Sequence, residues 1–136
     1  MERFKVRSLD EIDEIRKGRI PGNTKRNMKW SARTWDKWSD WRNSLQEGDF
    51  PVVPGSRDLG TVSDKNLSTF LSLFVVEVTK ENGKPYPPDS LYSLVCGINR
   101  HVREELGKPA FNVFAQTEDF LKFQQALDGQ MKELKR

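Results

Sequence analysis

Residues 63–80 read SDKNLSTFLSLFVVEVTK and show the clearest helical periodicity in the chain. Their apolar residues recur at the spacing of a single helix face, at Leu67, Phe70, Leu71, Phe74, Val75 and Val78. Ser63 or Asp64 can cap the start by accepting a backbone N–H, and Asn82 with Gly83 can end the helix by supplying a left-handed residue. The β-branched valines lower helix propensity, but the face pattern outweighs them. The stretch predicts an amphipathic helix packed against others.

Two more helices are predicted downstream. The first begins at residues 87–90, where a proline costs little because its missing N–H would have had no intrahelical partner. Its apolar face consists of Leu91, Leu94, Val95, Ile98 and Val102, and we expect it to stop at Gly107. The second opens at Thr117, and Glu118 and Asp119 favour its positive dipole end. We expect it to bury Phe120, Phe123, Leu127, Met131 and Leu134.

Upstream, residues 8–11 form a capping box that predicts a short helix with Leu9, Ile12 and Ile15 facing inward. Residues 20–22, Ile-Pro-Gly, should break this helix. The loop of residues 48–60 carries two prolines and several glycines, so we expect it to be irregular. No convincing strand is present in the sequence. The pattern predicts an all-α domain of four main helices plus a short N-terminal one.

Composition excludes several classes of protein. The chain has 136 residues, the size of one ordinary domain, with 35% apolar and 32% charged residues. No apolar run approaches the roughly 18 residues of a membrane span, and the N-terminus lacks the apolar stretch of a signal peptide. A single cysteine and a single histidine exclude an internal disulfide and a zinc site of Cys and His ligands. We therefore expect a protein of a reducing compartment, with no metal, no cofactor and no membrane contact.

The residues most informative about function are 23–43, NTKRNMKWSARTWDKWSDWRN. They hold six basic and two acidic side chains, a net charge of +4, and all four tryptophans of the protein. At about 100° per residue, one side of the predicted helix gathers Met28, Ala32, Trp35, Trp38 and Leu45. The other side gathers Lys25, Arg26, Lys29, Arg33 and Lys37, with Trp30 and Trp41 at one margin. The pattern predicts a helix with a basic face.

A basic helix face permits two interpretations. It can lie along DNA phosphates, where each neutralised charge releases counterions and adds sequence-independent affinity. It can also be a merely solvated surface, with Asp36 and Asp40 offsetting the cations through i+3 and i+4 pairs. The tryptophans favour a core role over base stacking, because two of them lie squarely on the apolar side.

A second candidate surface lies on the polar side of the helix that follows residue 87. It carries Asn99, Arg100 and Arg103, and in a major groove arginine can bind guanine and asparagine can bind adenine. The alternative is an ordinary exposed helix surface. His101 has no nucleophile partner, and Cys96 beside Leu94 and Val95 is best interpreted as a small buried hydrophobe. No constellation of nucleophile, base or metal ligands can be assembled, so we expect a protein that is not an enzyme by itself.

Three stretches together resemble Crypton-type tyrosine recombinases. Residues 23–43 resemble the opening helix of that family, with its Asn-Thr-Lys start and aromatic spacing. Residues 86–100, YPPDSLYSLVCGINR, are similar to the signature Tyr-(Ser/Pro)-Pro-x-(Ser/Thr)-Leu-x-x-(Leu/Ile)-x-x-Gly-Ile-x-Arg, the most specific match. Residues 123–134 resemble the segment that leads into the catalytic domain. The family also has domesticated relatives among MYM-type zinc-finger and glutamine-rich nuclear proteins.

The resemblance implies a fold and a role. It implies a SAM-like core-binding bundle over residues 23–136 that clamps one face of double-stranded DNA and ends at the linker to an absent catalytic domain. Residues 1–22 would be an N-terminal extension packed on that bundle. The cleaving tyrosine and its partners belong to the following domain, so Tyr86 and Tyr92 are not candidates for the nucleophile.

We therefore expect a nuclear, non-catalytic domain that binds double-stranded DNA, from a Crypton-like recombinase or a domesticated derivative. Its DNA contacts would come from Lys25, Arg26, Lys29, Arg33, Lys37, Asn99, Arg100 and Arg103. Other recombinase protomers are further expected partners, through the full-length protein, and no small-molecule substrate is expected. The alternative is a protein-interaction module of a nuclear transcriptional regulator, which the net charge of only +3 favours.

Overall fold

The computed structural model describes residues 3–45 and 48–136, which fold into five α-helices. The helices are α1 (Leu9–Gly18), α2 (Gly22–Ser44), α3 (Asp64–Glu77), α4 (Pro88–Arg100) and α5 (Glu118–Leu134). A short 3-10 helix covers Ser56–Thr61, and a π-helical turn, His101–Glu105, continues α4. The described residues contain no strand, and the prediction of an all-α bundle is confirmed.

The core forms where two helix pairs meet, because α3 packs chiefly on α5 and α2 packs chiefly on α4. Phe74 of α3 joins the pairs, since its ring centroid lies 5.0 Å from that of Trp35 and 5.3 Å from that of Trp38. The largest fully buried side chains include Trp35, Phe74, Phe123, Leu59, Leu67, Leu71, Leu91, Leu94 and Ile98. Burying each contributes about 1.5–3 kcal/mol relative to exposure. The apolar faces predicted for α3, α4 and α5 supply most of this core.

The contact between α2 and α4 is made by two small residues. A Cβ added at Gly97 of α4 would meet the side-chain oxygen of Ser31, and would lie 2.6 Å from the Ser31 Cβ and 2.9 Å from the Asn27 carbonyl oxygen. Real Cβ atoms essentially never show non-bonded contacts this short, so only glycine fits at this crossing without a shift of its neighbours. The Ser31 hydroxyl is buried and has no hydrogen-bond partner among the described residues. The two helices therefore meet backbone to backbone.

The helix starts agree with the sequence prediction, but one helix end does not. Ser63 caps α3 by accepting a hydrogen bond from the Asn66 N–H at 3.2 Å. The helix then ends at Glu77, because Val78 already has extended backbone angles. Gly83 does adopt a left-handed conformation, φ 81°, but it lies in a separate turn in which the Lys80 N–H donates to the Lys84 carbonyl. The prediction that Asn82 and Gly83 end this helix was wrong.

Helix α1 forms as predicted but does not pack as predicted. Ser8 and Glu11 make the reciprocal hydrogen bonds of a capping box, so the predicted start is confirmed. Leu9 and Ile15, however, are 80% and 61% exposed, and Ile12 is also exposed. The prediction that this face points inward was wrong, because no residue of α1 is buried against the bundle. Leu45 is exposed for a simpler reason, since it lies one residue beyond the end of α2.

Candidate nucleic-acid interface

Helix α2 presents its basic residues on the side opposite its buried side. Met28, Trp35 and Trp38 are buried, as the 3.6-residue period requires. The five cations predicted for the opposite side are all exposed, namely Lys25, Arg26, Lys29, Arg33 and Lys37. The placement of the basic face is therefore confirmed, and the contact of these residues with DNA stays a prediction.

The five cations differ in how strongly they are already engaged. The Lys37 Nζ lies 3.0 Å from a carboxylate oxygen of Glu81, and the Arg26 guanidinium donates to the side chain of Asn23. Within the described part of the chain, the side chains of Lys25, Lys29 and Arg33 make no ion pair. Exposed ion pairs contribute little free energy, so Lys37 can exchange Glu81 for another anion at small cost.

Asp36 does not neutralise the basic face through helical pairing. Its carboxylate instead accepts hydrogen bonds from the Ser56 N–H at 2.7 Å and the Ser56 hydroxyl at 2.9 Å. Asp40 is exposed and forms no ion pair with any described residue. The i+3 and i+4 pairs that would have offset the cations are therefore not formed.

A groove between α1 and α2 borders the basic face, and we call it the α1–α2 groove. Its charged lining residues are the basic Lys17, Lys25, Lys29 and Arg33 and the acidic Glu14, Asp36, Glu104 and Glu105. Four cations against four carboxylates give no net charge. The groove as a whole does not attract anions, although its α2 cations, Lys25, Lys29 and Arg33, are also exposed to solvent.

A second cavity lies between the α1–α2 turn, the end of α4 and the loop that precedes α5. It has a volume of about 760 Å³, and we call it the arginine cavity. Its lining includes Arg19, Thr24, Tyr92, Cys96, Asn99, Arg100, Arg103, Glu104, Asn112 and Phe114. Three guanidinium groups face one carboxylate here, so this cavity carries a net charge of +2, unlike the α1–α2 groove.

The three residues predicted on α4 all reach the arginine cavity, but in different environments. Arg100 and Arg103 are exposed at its edge, whereas Asn99 is only 8% exposed. The Asn99 side-chain oxygen accepts a hydrogen bond from the Val113 N–H at 3.0 Å. Asn99 is thus an interior side chain that fixes the loop before α5, and not the surface residue that its sequence position suggested.

Two ionisable groups on the cavity wall, the Cys96 thiol and the Tyr92 hydroxyl, have raised pKa values that favour their neutral forms. Burial raises the pKa of the Cys96 thiol, and the nearby Arg100 charge and a hydrogen bond with Tyr92 counteract this rise only in part. The pKa of Tyr92 is raised chiefly by its proximity to Cys96, with burial as a second cause. Cys96 is half-buried. Neither group adds a negative charge opposite the arginines near neutral pH.

The His101 ring contacts a backbone carbonyl oxygen. Its Nε2 lies 2.9 Å from the Ser56 carbonyl oxygen, which links the π-helical turn to the 3-10 helix. The described residues contain no group of three His, Cys, Asp or Glu side chains that could hold a metal ion. They also include no helix with the length and apolarity to cross a bilayer.

Sequence reasoning missed two residues of this region. Arg19 lies in the N-terminal extension, and its guanidinium binds both carboxylate oxygens of Glu104, at 3.0 and 3.1 Å, across 85 residues of sequence. Tyr92 faces the cavity beside Phe114, with ring centroids 5.6 Å apart. No local sequence pattern predicts the contact of Arg19 with Glu104, because it depends on how the turn between α1 and α2 lies against the end of the π-helical turn.

In a comparison with known families, the model of the QRICH1 domain matches residues 25–134. The chain belongs to the QRICH1 domain family. The match begins at Lys25 near the start of α2 and ends at Leu134, the last residue of α5, so α1 lies outside it. The QRICH1 domain agrees with the glutamine-rich nuclear branch of the resemblance, and the match leaves the relationship to Crypton recombinases unconfirmed. No curated protein and no solved structure matches the chain.

Proposed function

We propose that this QRICH1 domain is a non-catalytic module that binds double-stranded DNA, within a nuclear protein derived from a Crypton-like recombinase. The observation that carries the proposal is the row of Lys25, Lys29 and Arg33, which are exposed and make no ion pair among the described residues. Arg100 and Arg103 extend the cationic surface on the neighbouring helix end.

The geometry of the row suits a polyanion. Three cations at four-residue intervals on an α-helix form a line about 12 Å long, at 1.5 Å per residue. One strand of B-DNA places a phosphate about every 3.4 Å along the duplex axis. The row can therefore contact a few consecutive phosphates, which fixes orientation on the duplex without reading base sequence.

The role of the domain under this proposal is positioning. The described cations supply sequence-independent affinity, and no described residue is assigned a part in strand cleavage. The rigid bundle behind α2 keeps the cations in a fixed arrangement, since Trp35 and Trp38 anchor the helix in the core.

The alternative function is a protein-interaction module, and two observations favour it. The α1–α2 groove carries no net charge, and α1 exposes Leu9, Ile12 and Ile15. Exposed contiguous apolar surface is a common mark of protein interfaces. This alternative predicts no duplex binding at any salt concentration.

The test is fluorescence anisotropy of a labelled random duplex at about 50 and 200 mM salt, concentrations over which phosphate contacts lose much of their affinity. Wild type is compared with Lys29→Glu/Arg33→Glu, and the matched control for charge is Lys122→Glu/Lys135→Glu, on α5 and at the residue that follows it. We expect weaker binding of the α2 variant to all duplexes, and a salt slope reduced by about 0.9 for each lost contact. Wild-type affinity in the α2 variant, or no binding by the wild type, would contradict the proposal.

A further inference from the structure

The arginine cavity carries a net charge of +2, whereas the α1–α2 groove carries none. Arg19 is held by both oxygens of Glu104, so the one carboxylate of the cavity already has a partner. Arg100 and Arg103 form no ion pair with a described residue. Two guanidinium groups therefore face the cavity without a counter-ion from the protein.

A buried side chain in the same cavity has an unused donor. Asn99 is more than nine-tenths buried, and its side-chain oxygen accepts the Val113 N–H. This bond orients the amide, and the remaining NH₂ group has no hydrogen-bond partner among the described residues while the side chain lines the cavity. Among the described residues, the Ser31 hydroxyl oxygen is the only fully buried side-chain polar atom without a partner, so the Asn99 nitrogen is accessible from the cavity it lines and can donate to an acceptor there.

The other walls are compatible with a phosphate and its attached sugar. Tyr92 and Phe114 form a tilted aromatic pair beside the arginines, which provides an apolar surface next to the charged one. Guanidinium groups bind phosphate oxygens in pairs, with a fixed fork of donors that matches the anion. The neutral NH₂ group of Asn99 lies beside the guanidinium groups of Arg100 and Arg103 in this cavity. As a hydrogen-bond donor, it favours a ligand with acceptor oxygens over a cation.

We propose that the arginine cavity binds a single phosphate group, held by Arg100, Arg103 and the side-chain NH₂ of Asn99. The inference rests on the proposed function in assigning that phosphate to the backbone of a DNA duplex. A small phosphate compound presents the same chemistry, and the experiment separates the two sources. The α2 row and the cavity then contact different phosphates of one duplex.

Two variants test the cavity without removing its structural bonds. Asn99→Asp keeps an oxygen that accepts the Val113 N–H but replaces the NH₂ donor by an anionic oxygen. Arg100→Gln/Arg103→Gln removes both unpaired charges from exposed positions. Lys122→Gln/Lys135→Gln, on α5 and at the residue that follows it, is the control for loss of two charges, and thermal unfolding verifies that each variant is folded.

Each variant is measured for duplex affinity and for binding of inorganic phosphate and tripolyphosphate, followed through the NMR signal of the Asn99 side-chain NH₂. We expect Asn99→Asp and the double arginine variant each to bind the duplex at least about tenfold more weakly, and the control variant to change less. We also expect the double arginine variant to lower the salt slope by about 1.8, the value for two contacts. In the wild type, the duplex should shift the Asn99 NH₂ signal.

The outcomes separate this inference from the proposed function. If the two cavity variants bind the duplex like the wild type while Lys29→Glu/Arg33→Glu does not, the cavity inference fails and the proposed function stands. If the wild type binds no duplex but tripolyphosphate shifts the Asn99 signal, the proposed function fails and the phosphate site stands with a small-compound ligand. If neither ligand affects the protein, both are overturned.

Discussion

Asp36 of α2 holds the start of the 3-10 helix through Ser56, whose N–H and hydroxyl both donate to its carboxylate, at 2.7 and 2.9 Å. The Oδ1 atom of this carboxylate also lies over Gly55, where an added Cβ would be in ordinary van der Waals contact with it at 3.4 Å. An acidic residue next to Lys29 and Arg33 is thereby used for a structural link. In one of the two interpretations that the sequence permits, it partly offset the cations of the basic face.

Replacing Asp36 should separate stability from duplex binding. Asp36→Ala removes both acceptors for Ser56, and we expect a loss of about 1–3 kcal/mol in the free energy of unfolding. Asp36→Asn keeps one acceptor and should cost less. Urea denaturation measures both. Because a negative charge is removed beside the α2 cations, the affinity of the folded Asp36→Ala protein for a duplex should be unchanged or higher. A lower affinity would mean that Asp36 has a role at the interface.

The contact between Gly97 and Ser31 gives a second prediction. Gly97→Ala places a methyl group against the Ser31 side chain and the Asn27 carbonyl oxygen, and overpacking of this kind costs about 1–3 kcal/mol. Adding Ser31→Gly removes one of the two clashes, so the double variant should recover part of the lost stability. Chemical denaturation of both singles and the double gives the coupling energy. Equal stability of Gly97→Ala and wild type would mean that α2 and α4 can separate freely.

The exposed apolar face of α1 gives a third prediction, which concerns stability. Ile15 is 61% exposed, whereas Leu71 of α3 is fully buried. Ile15→Ala should change the free energy of unfolding by less than about 0.5 kcal/mol, and Leu71→Ala should lower it by about 2–5 kcal/mol. Thermal or urea unfolding measures both. A large loss on changing Ile15 would show that α1 packs on the bundle after all.

The reactivity of Cys96 gives a fourth prediction, with a defined pH dependence. Only the thiolate is nucleophilic, and burial raises the thiol pKa above its ordinary value of 9.0. Alkylation by iodoacetamide near pH 7.5 should therefore be slower than that of a free cysteine, and should accelerate as the pH rises. The positive charge of Arg100 favours the thiolate, so Arg100→Gln should raise the thiol pKa further and slow the reaction. Faster alkylation in that variant would contradict the assigned sign.

Much of the fold follows from local signals. Capping residues and apolar spacing located the starts of α1, α3, α4 and α5 within about a residue, because these signals act within one or two turns. The position of α1, which precedes Pro21, relative to the bundle could not be predicted in the same way. It depends on long-range contacts such as that between Arg19 and Glu104, for which neighbouring residues give no signal.

The candidate site was predictable in part, and Asn99 shows why. Arg100 and Arg103 are exposed as expected. Asn99, however, follows Val95 by four residues and precedes Val102 by three, which places it on the buried stripe of α4. Its polar character suggested a surface position, and periodicity was the better guide. The Val113 N–H that satisfies it lies in an irregular loop, so the partner itself could not have been identified from spacing.

The distribution of tryptophan residues allows the protein to be followed by its intrinsic fluorescence. All four indoles belong to α2, and two of them, Trp35 and Trp38, are 0% and 4% exposed, whereas Trp41 is 49% exposed. The tryptophan emission of the native protein therefore originates entirely from the helix that bears the basic row. A soluble quencher should reach Trp41 readily, but it should not quench Trp35 and Trp38 until the core opens. Two emitting populations on one helix then report ligand arrival and unfolding as separate spectral events, without any attached dye.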